Sequence, residues 1–260
     1  MGEFPEKIKL IELSGQGEPL CNPRLENMAQ TLKQSDIVNQ IMMHTNASLL
    51  TEERAKKIAH SGFTRIIISL QGLTSQDYKR VCDVEIDWDK FYKNLKVLYE
   101  NRQEELKIHI KIPDVALNQG DEAKFYSLFE NISDTLAIEN VVPIWKNINI
   151  DSKDNINKYG GSVEDINYCS LLFYKLFVAP NGDVYPCTRL PAPKSLGNIR
   201  ERSLLDVWNS DERKQFLIEH LQSTRHGYAP CEGCYIPVNT ITSSLDIIDP
   251  YKDKILSKLY

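Results

Sequence analysis

The chain has 260 residues, with 31 Lys plus Arg against 36 Asp plus Glu, a formal net charge of −5, 42% apolar residues and 26% charged residues. That composition supports a packed core and excludes a disordered chain, a collagen and a coiled coil. The longest apolar runs, such as 66–70, are too short to span a bilayer, and the mild acidity gives no electrostatic ground for nucleic acid as the main partner.

The opening residues lack the basic-then-apolar pattern of a secretory signal, so the sequence predicts a cytoplasmic protein. Residues 8–13 read as a buried strand. A helix follows over 22–32, with Leu25, Met28, Ala29 and Leu32 on one face. Residues 37–43 form a second strand. Thr51 suits an N-cap, Glu52 and Glu53 suit the positive end of the next helix, and Gly62 its C-terminal end. A strand is expected at 64–70, a helix at 88–101, a strand at 106–112, a helix at 122–132 and a strand at 135–140. Alternation of this kind predicts an α/β fold with a parallel sheet and right-handed crossovers. Ligands in such sheets bind beyond the C-terminal strand ends, which here carry small and polar clusters. Lys111 and Glu139 are candidates there for substrate contact.

Residues 147–161 are polar and end in a Gly pair, which suggests a linker, and a domain boundary is placed near 150. The pattern then changes. Residues 171–179 and 184–187, around Asn181-Gly182, predict a β-hairpin. A helix is expected at 211–222, and a last helix begins at Asp249-Pro250, with Tyr251, Ile255 and Leu259 on one face.

The six cysteines are at 21, 82, 169, 187, 231 and 234. In a reducing compartment their clustering points to metal or redox chemistry rather than to disulfides. The hairpin would bring Cys169 and Cys187 together, and Cys231-Glu232-Gly233-Cys234 could close a four-thiolate site. Four thiolates suit an iron–sulfur cluster or a structural zinc, and buried thiols without metal are the third reading. Cys82 and Cys21 are read as packing residues. The five histidines show no metal-ligand spacing.

Cys169, then Phe177-Val178-Ala179-Pro180-Asn181-Gly182-Asp183-Val184-Tyr185-Pro186-Cys187, Leu196-Gly197-Asn198-Ile199, Ser203-Leu204, Val207-Trp208 and the final Cys231-x-x-Cys234 resemble a SPASM or twitch auxiliary-cluster domain. Such domains follow the barrel of radical S-adenosylmethionine (SAM) enzymes. The resemblance implies one auxiliary [4Fe–4S] cluster on Cys169, Cys187, Cys231 and Cys234. No cysteine follows Cys234, as in the shorter, one-cluster version.

The first half carries matching motifs. Leu13-Ser14-Gly15-Gln16-Gly17-Glu18-Pro19-Leu20 resembles the Gly-Glu motif after the second barrel strand, whose backbone and Glu contact the methionine amino group of SAM. Glycines admit close backbone approach, and a carboxylate or carbonyl accepts from an ammonium. Thr45-Asn46 resembles the third-strand Thr-Asn-Gly, with Ala47 in place of Gly. Ile68-Ser69-Leu70-Gln71-Gly72 resembles the fourth-strand motif. The resemblance thus implies SAM contacts at Gly15, Gly17, Glu18, Thr45, Asn46 and Ser69.

It also implies the architecture: a partial parallel (β/α)6 radical SAM barrel over 1–150, lacking its first strand, then a small α+β SPASM or twitch domain over 151–260. Radical SAM enzymes place a Cys-x-x-x-Cys-x-x-Cys loop after the first strand, and these 260 residues contain no such triplet. The expectation is a C-terminal portion of a radical SAM oxidoreductase or maturase that forms a 5′-deoxyadenosyl radical when complete, with this chain alone inactive. The alternative is a non-catalytic iron–sulfur binding module acting with a partner chain. Expected partners are a small-molecule or peptide substrate and an electron donor such as a flavodoxin or ferredoxin, with neither nucleic acid nor membrane.

Overall fold

A parallel sheet centred on an isoleucine-rich strand buried on both faces organises the first half of the chain. The computed structural model describes residues 4–143, 156–162, 166–188, 194–240 and 243–260. It divides into two units, 2–139 and 140–260. The boundary expected near 150 falls outside the described residues, as does most of the expected linker.

The first unit is a five-stranded parallel sheet in sequential order: β1 (Ile8–Glu12), β2 (Val38–Thr45), β3 (Arg65–Ser69), β4 (Lys107–Pro113) and β5 (Thr135–Glu139). Helices α1 (Leu25–Ser35), α2 (Glu52–Ala59), α3 (Ser75–Cys82), α4 (Trp88–Glu100) and α5 (Glu122–Phe129) form the crossovers. This is the expected α/β arrangement, consistent with part of a barrel. Ile66, Ile67 and Ile68 are all buried, as a central parallel strand requires. On β4, Ile108, Ile110 and Ile112 are buried, while His109 and Lys111 take the opposite face.

Local chemistry sets the element ends. Thr51 caps α2 by accepting from the Arg54 N–H at 3.2 Å. Helix α1 begins at Leu25 rather than 22, because the Asn22 side chain accepts from the Arg24 N–H at 2.9 Å and holds the preceding residues in a turn. Gly72 is needed for close approach: a Cβ there would lie 2.2 Å from the Asp77 Cβ.

The second unit holds α6 (Leu171–Tyr174), β6 (Phe177–Val178), β7 (Asp183–Tyr185), β8 (Gly197–Asn198), α7 (Leu204–Trp208), α8 (Asp211–Gly227), α9 (Ile236–Thr240) and α10 (Lys252–Leu256). Strands β6, β7 and β8 form an antiparallel sheet. The hairpin expectation holds only for its inner part. Residues Leu171–Tyr174 make a helical turn, not a strand, and the buried Arg213 donates to the Leu172 carbonyl at 3.2 Å and the Phe173 carbonyl at 3.4 Å. The turn is a three-residue Pro180-Asn181-Gly182 loop, with the Gly182 N–H bonded to the Ala179 carbonyl at 2.9 Å and Gly182 at φ +92°. Helix α8 runs past the expected end at 222 and breaks at Thr224, whose φ is +60°. Among the described residues, no helix is long and apolar enough to cross a membrane.

Candidate functional site

The loop after β1 and the C-terminal ends of β2 and β3 border a shallow, open cleft of about 310 Å³. Its lining is Gly15, Gln16, Gly17, Glu18, His44, Thr45, Asn46 and Ser69. All six residues that the motifs nominate in the first half therefore meet at one place. Gln16 and His44 were not nominated. Their places between Gly15 and Gly17 and beside Thr45 were the available signal.

Glu18 organises this cleft. Its Oε1 accepts from Thr45 Oγ1 at 2.5 Å and from the Leu20 N–H at 3.0 Å, and its Oε2 accepts from the Asn46 N–H at 2.8 Å. One carboxylate thus caps the short helical turn Pro19–Cys21 and ties the β1 loop to the end of β2. Thr45 Oγ1 also accepts from the Ala47 N–H at 2.9 Å. Ala47 sits at φ +57°, in the left-handed region, which explains why the resembling motif has Gly there. Ser14 donates to Glu12 at 2.5 Å and accepts from the His44 N–H at 3.3 Å.

Gly17 differs from Gly72. Among the described residues, a Cβ at Gly17 would meet nothing within 4 Å, so their packing does not require glycine there. The space beside it is open to a ligand. Polar acceptors, a carboxylate and an open glycine edge fit the amino acid end of SAM in donor chemistry.

Lys111 and Glu139, candidates for substrate contact, instead pair with each other at 2.9 Å, with side chains 13% and 11% exposed. Cys21 and Cys82, read as packing residues, are both exposed. Cys21 closes an exposed helical turn, and the Cys82 thiol donates to the Tyr78 carbonyl at 3.1 Å near the end of α3.

In the second unit, Cys169 and Cys234 are buried, and Cys187 and Cys231 are half-buried. Burial pushes the Cys169 thiol up to about 12, and Cys187 and Cys234 add to the rise as electrostatic neighbours. Cys187 and Cys234 therefore each lie near Cys169. Cys231 and Cys234 lie on one turn, with the Cys234 N–H bonded to the Cys231 carbonyl at 3.1 Å. Among the described residues, no three His, Cys, Asp or Glu side chains converge on the radius of a single ion. Four thiolates are the donor set of a four-iron cluster, one to each iron, so the residue types present suit that group.

The segment leading into Cys169 is held by side chains. The Cys169 N–H donates to His220 Nε2 at 2.9 Å. Asp249 accepts from the Asn167 N–H at 2.9 Å and the Tyr168 N–H at 3.4 Å. Arg225 donates through Nε to the Ile166 carbonyl and through Nη1 to the Cys234 carbonyl, the latter at 2.9 Å.

A family model for the radical SAM superfamily matches residues 5–115, and one for the SPASM iron–sulfur cluster-binding domain matches residues 169–235. The chain thus carries a radical SAM match in its first unit and a SPASM match in its second. A "tungsten-containing aldehyde ferredoxin oxidoreductase cofactor-modifying protein" of Pyrococcus furiosus is 23% identical over 273 aligned positions, covering 89% of this chain and 75% of the relative. A "probable GTP 3′,8-cyclase" of Methanococcus vannielii is 26% identical over 141 positions, covering 54% of this chain and 45% of the relative. Among solved radical SAM folds, anSMEcpe with bound AdoMet superposes with a TM-score of 0.59 at 12% identity, covering 99% of this chain and 83% of that one. Streptococcus suis SuiB bound to precursor peptide SuiA gives 0.59 at 19% identity, covering 88% and 59%. These likenesses establish the fold.

Proposed function

We propose that this chain binds SAM in the first-unit cleft and one auxiliary [4Fe–4S] cluster on Cys169, Cys187, Cys231 and Cys234. The observation that supports the cleft most directly is the meeting of Gly15, Gly17, Glu18, Thr45, Asn46 and Ser69 around one opening. In this reading Glu18 positions rather than grips. Its carboxylate is occupied by Thr45, Leu20 and Asn46, and so it fixes the backbone of 15–18 against the end of β2. The backbone carbonyls then accept from the methionine ammonium, and Gly17 leaves room for it. Ser69, at the end of β3, contacts the ribose or carboxylate.

SAM supplies radical chemistry once it is reductively cleaved at a second cluster. The 260 residues contain no Cys-x-x-x-Cys-x-x-Cys triplet to hold that cluster. We therefore infer that these residues by themselves bind SAM without cleaving it, and that catalysis, as oxidoreductase or maturase, belongs to an assembly that includes the triplet. Streptococcus suis SuiB is solved bound to a precursor peptide, which supports a peptide among the substrate classes. An electron donor of the flavodoxin or ferredoxin type fits a cytoplasmic iron–sulfur protein.

The test is equilibrium binding of SAM to the purified chain, with 5′-deoxyadenosine assayed under reducing conditions. Saturable binding without 5′-deoxyadenosine is expected. No saturable binding overturns the cleft assignment, and 5′-deoxyadenosine formation overturns the inference of inactivity.

A further inference from the structure

The Cys169 segment has no regular secondary structure to place it. Residues 166–169 lie outside any helix or strand, and Cys234 is 65 positions later in the sequence. Two side chains of α8 nevertheless hold both. His220 is fully buried at 0% exposure, and its Nε2 accepts the Cys169 N–H at 2.9 Å. That contact puts the ring proton on Nδ1, which has no hydrogen-bond partner among the described residues. A buried ring with one orphaned nitrogen costs free energy, so the other nitrogen's bond is the polar contact it is there to make.

Arg225 is 4% exposed and reaches both sides. It donates to the Ile166 carbonyl and, at 2.9 Å, to the Cys234 carbonyl, while its own N–H bonds the Asn167 carbonyl at 2.9 Å. Between His220 and Arg225 the helix breaks at Thr224, at φ +60° and ψ +167°. A β-branched residue disfavours that conformation by about 1–3 kcal/mol. The break re-aims the chain at the residue that spans the two cysteine segments.

We propose that His220 and Arg225 are positioning residues for the auxiliary cluster: together they dock the Cys169 and Cys234 backbones side by side before iron arrives. This rests on the cluster reading above and assigns a role to two residues that are not ligands. The Cys169 N–H, committed to His220, is also withheld from the cluster sulfurs. Hydrogen bonds to sulfur tune cluster potentials, so His220 has an electronic consequence that a purely structural residue lacks.

The experiment is anaerobic reconstitution of the full chain and of His220→Leu, His220→Gln, Arg225→Met and Arg225→Lys. Three quantities are read: iron released to a chelator over time, the cluster midpoint potential, and urea stability of the metal-free proteins. His220→Leu and Arg225→Met should lose iron about tenfold faster than the parent. His220→Leu should also shift the potential positive, because the freed Cys169 N–H becomes available to sulfur. His220→Gln, whose amide oxygen can accept the same N–H, should restore both properties toward the parent. Arg225→Lys should fall between parent and Arg225→Met. If His220→Leu does not fold, the comparison of His220→Gln with parent and of Arg225→Lys with parent decides. Gln with a shifted potential, or Lys with the parent's iron-release rate, then overturns the proposal. Unchanged iron release and potential in all variants overturns it while leaving the cluster intact. A parent that takes up no cluster overturns the cluster reading and this proposal with it.

Discussion

Glu18, in the loop after β1, and Thr45, at the end of β2, share a 2.5 Å hydrogen bond in which the threonine hydroxyl donates to the carboxylate. The same carboxylate accepts the Asn46 N–H at 2.8 Å. Two nominated motifs are therefore one structural unit. Glu18→Gln turns an amide N–H toward a position that now receives donors, at a cost of about 1–3 kcal/mol. SAM affinity in a binding titration should fall about tenfold, which corresponds to about 1.4 kcal/mol. Parental affinity in the variant would show that the carboxylate does not organise the cleft.

Gly17 separates ligand space from packing space. Its missing Cβ would touch none of the described residues, so Gly17→Ala should leave urea stability within about 1 kcal/mol of the parent. The added methyl should weaken SAM binding measurably. A variant that binds SAM as the parent does would remove Gly17 from the cleft's contact surface.

Ala47→Gly sets opposing effects against each other. Relief at φ +57° gains about 1–2 kcal/mol. Added chain entropy costs about 0.5–1 kcal/mol, and loss of a buried methyl costs about 0.8 kcal/mol. The expected net change in urea stability is within about 1 kcal/mol. A loss of several kcal/mol would mean that the methyl packs more tightly than the backbone strain suggests.

Asp77 predicts an acid limb. Burial opposes its ionisation, but hydrogen bonds from Thr74, Asn118, the Leu73 N–H and Arg80 outweigh this and hold its carboxyl below the usual aspartate range. Its folded pKa is lowered, so its contribution is complete above the unfolded value near 3.9 and is lost as pH falls through the folded value. Asp77→Asn should be less stable than the parent by about 1–3 kcal/mol at neutral pH. The gap should narrow below about pH 4. A gap that is constant with pH would exclude an ionised Asp77 as its source.

The parts of this molecule legible in the sequence were those with a local signature. Isoleucine runs announced the strands, Thr51 announced a cap, and Gly-x-Gly-Glu and Thr-Asn announced strand-end loops. Cys21 and Cys82 were misread because a lone cysteine has no periodic context to fix its burial. The 171–174 run is apolar enough for either strand or helix, and the Arg213 side chain that bonds its carbonyls is 40 positions away in sequence, beyond any local pattern. Lys111 and Glu139 were seen singly, and their pairing depends on strand register. His220 and Arg225 were invisible for a stronger reason. Their bonds go to backbone atoms of distant residues, which leaves no motif.

The central claim is that the second unit holds an auxiliary [4Fe–4S] cluster on Cys169, Cys187, Cys231 and Cys234. The most direct measurement is iron and sulfide content, with visible absorption, of the anaerobically reconstituted chain and its Cys187→Ala variant. The account predicts about four iron and four sulfide per chain in the parent, with absorption that bleaches on reduction and is lost in Cys187→Ala. A colourless parent that holds zinc, or absorption of full intensity in Cys187→Ala, would contradict it.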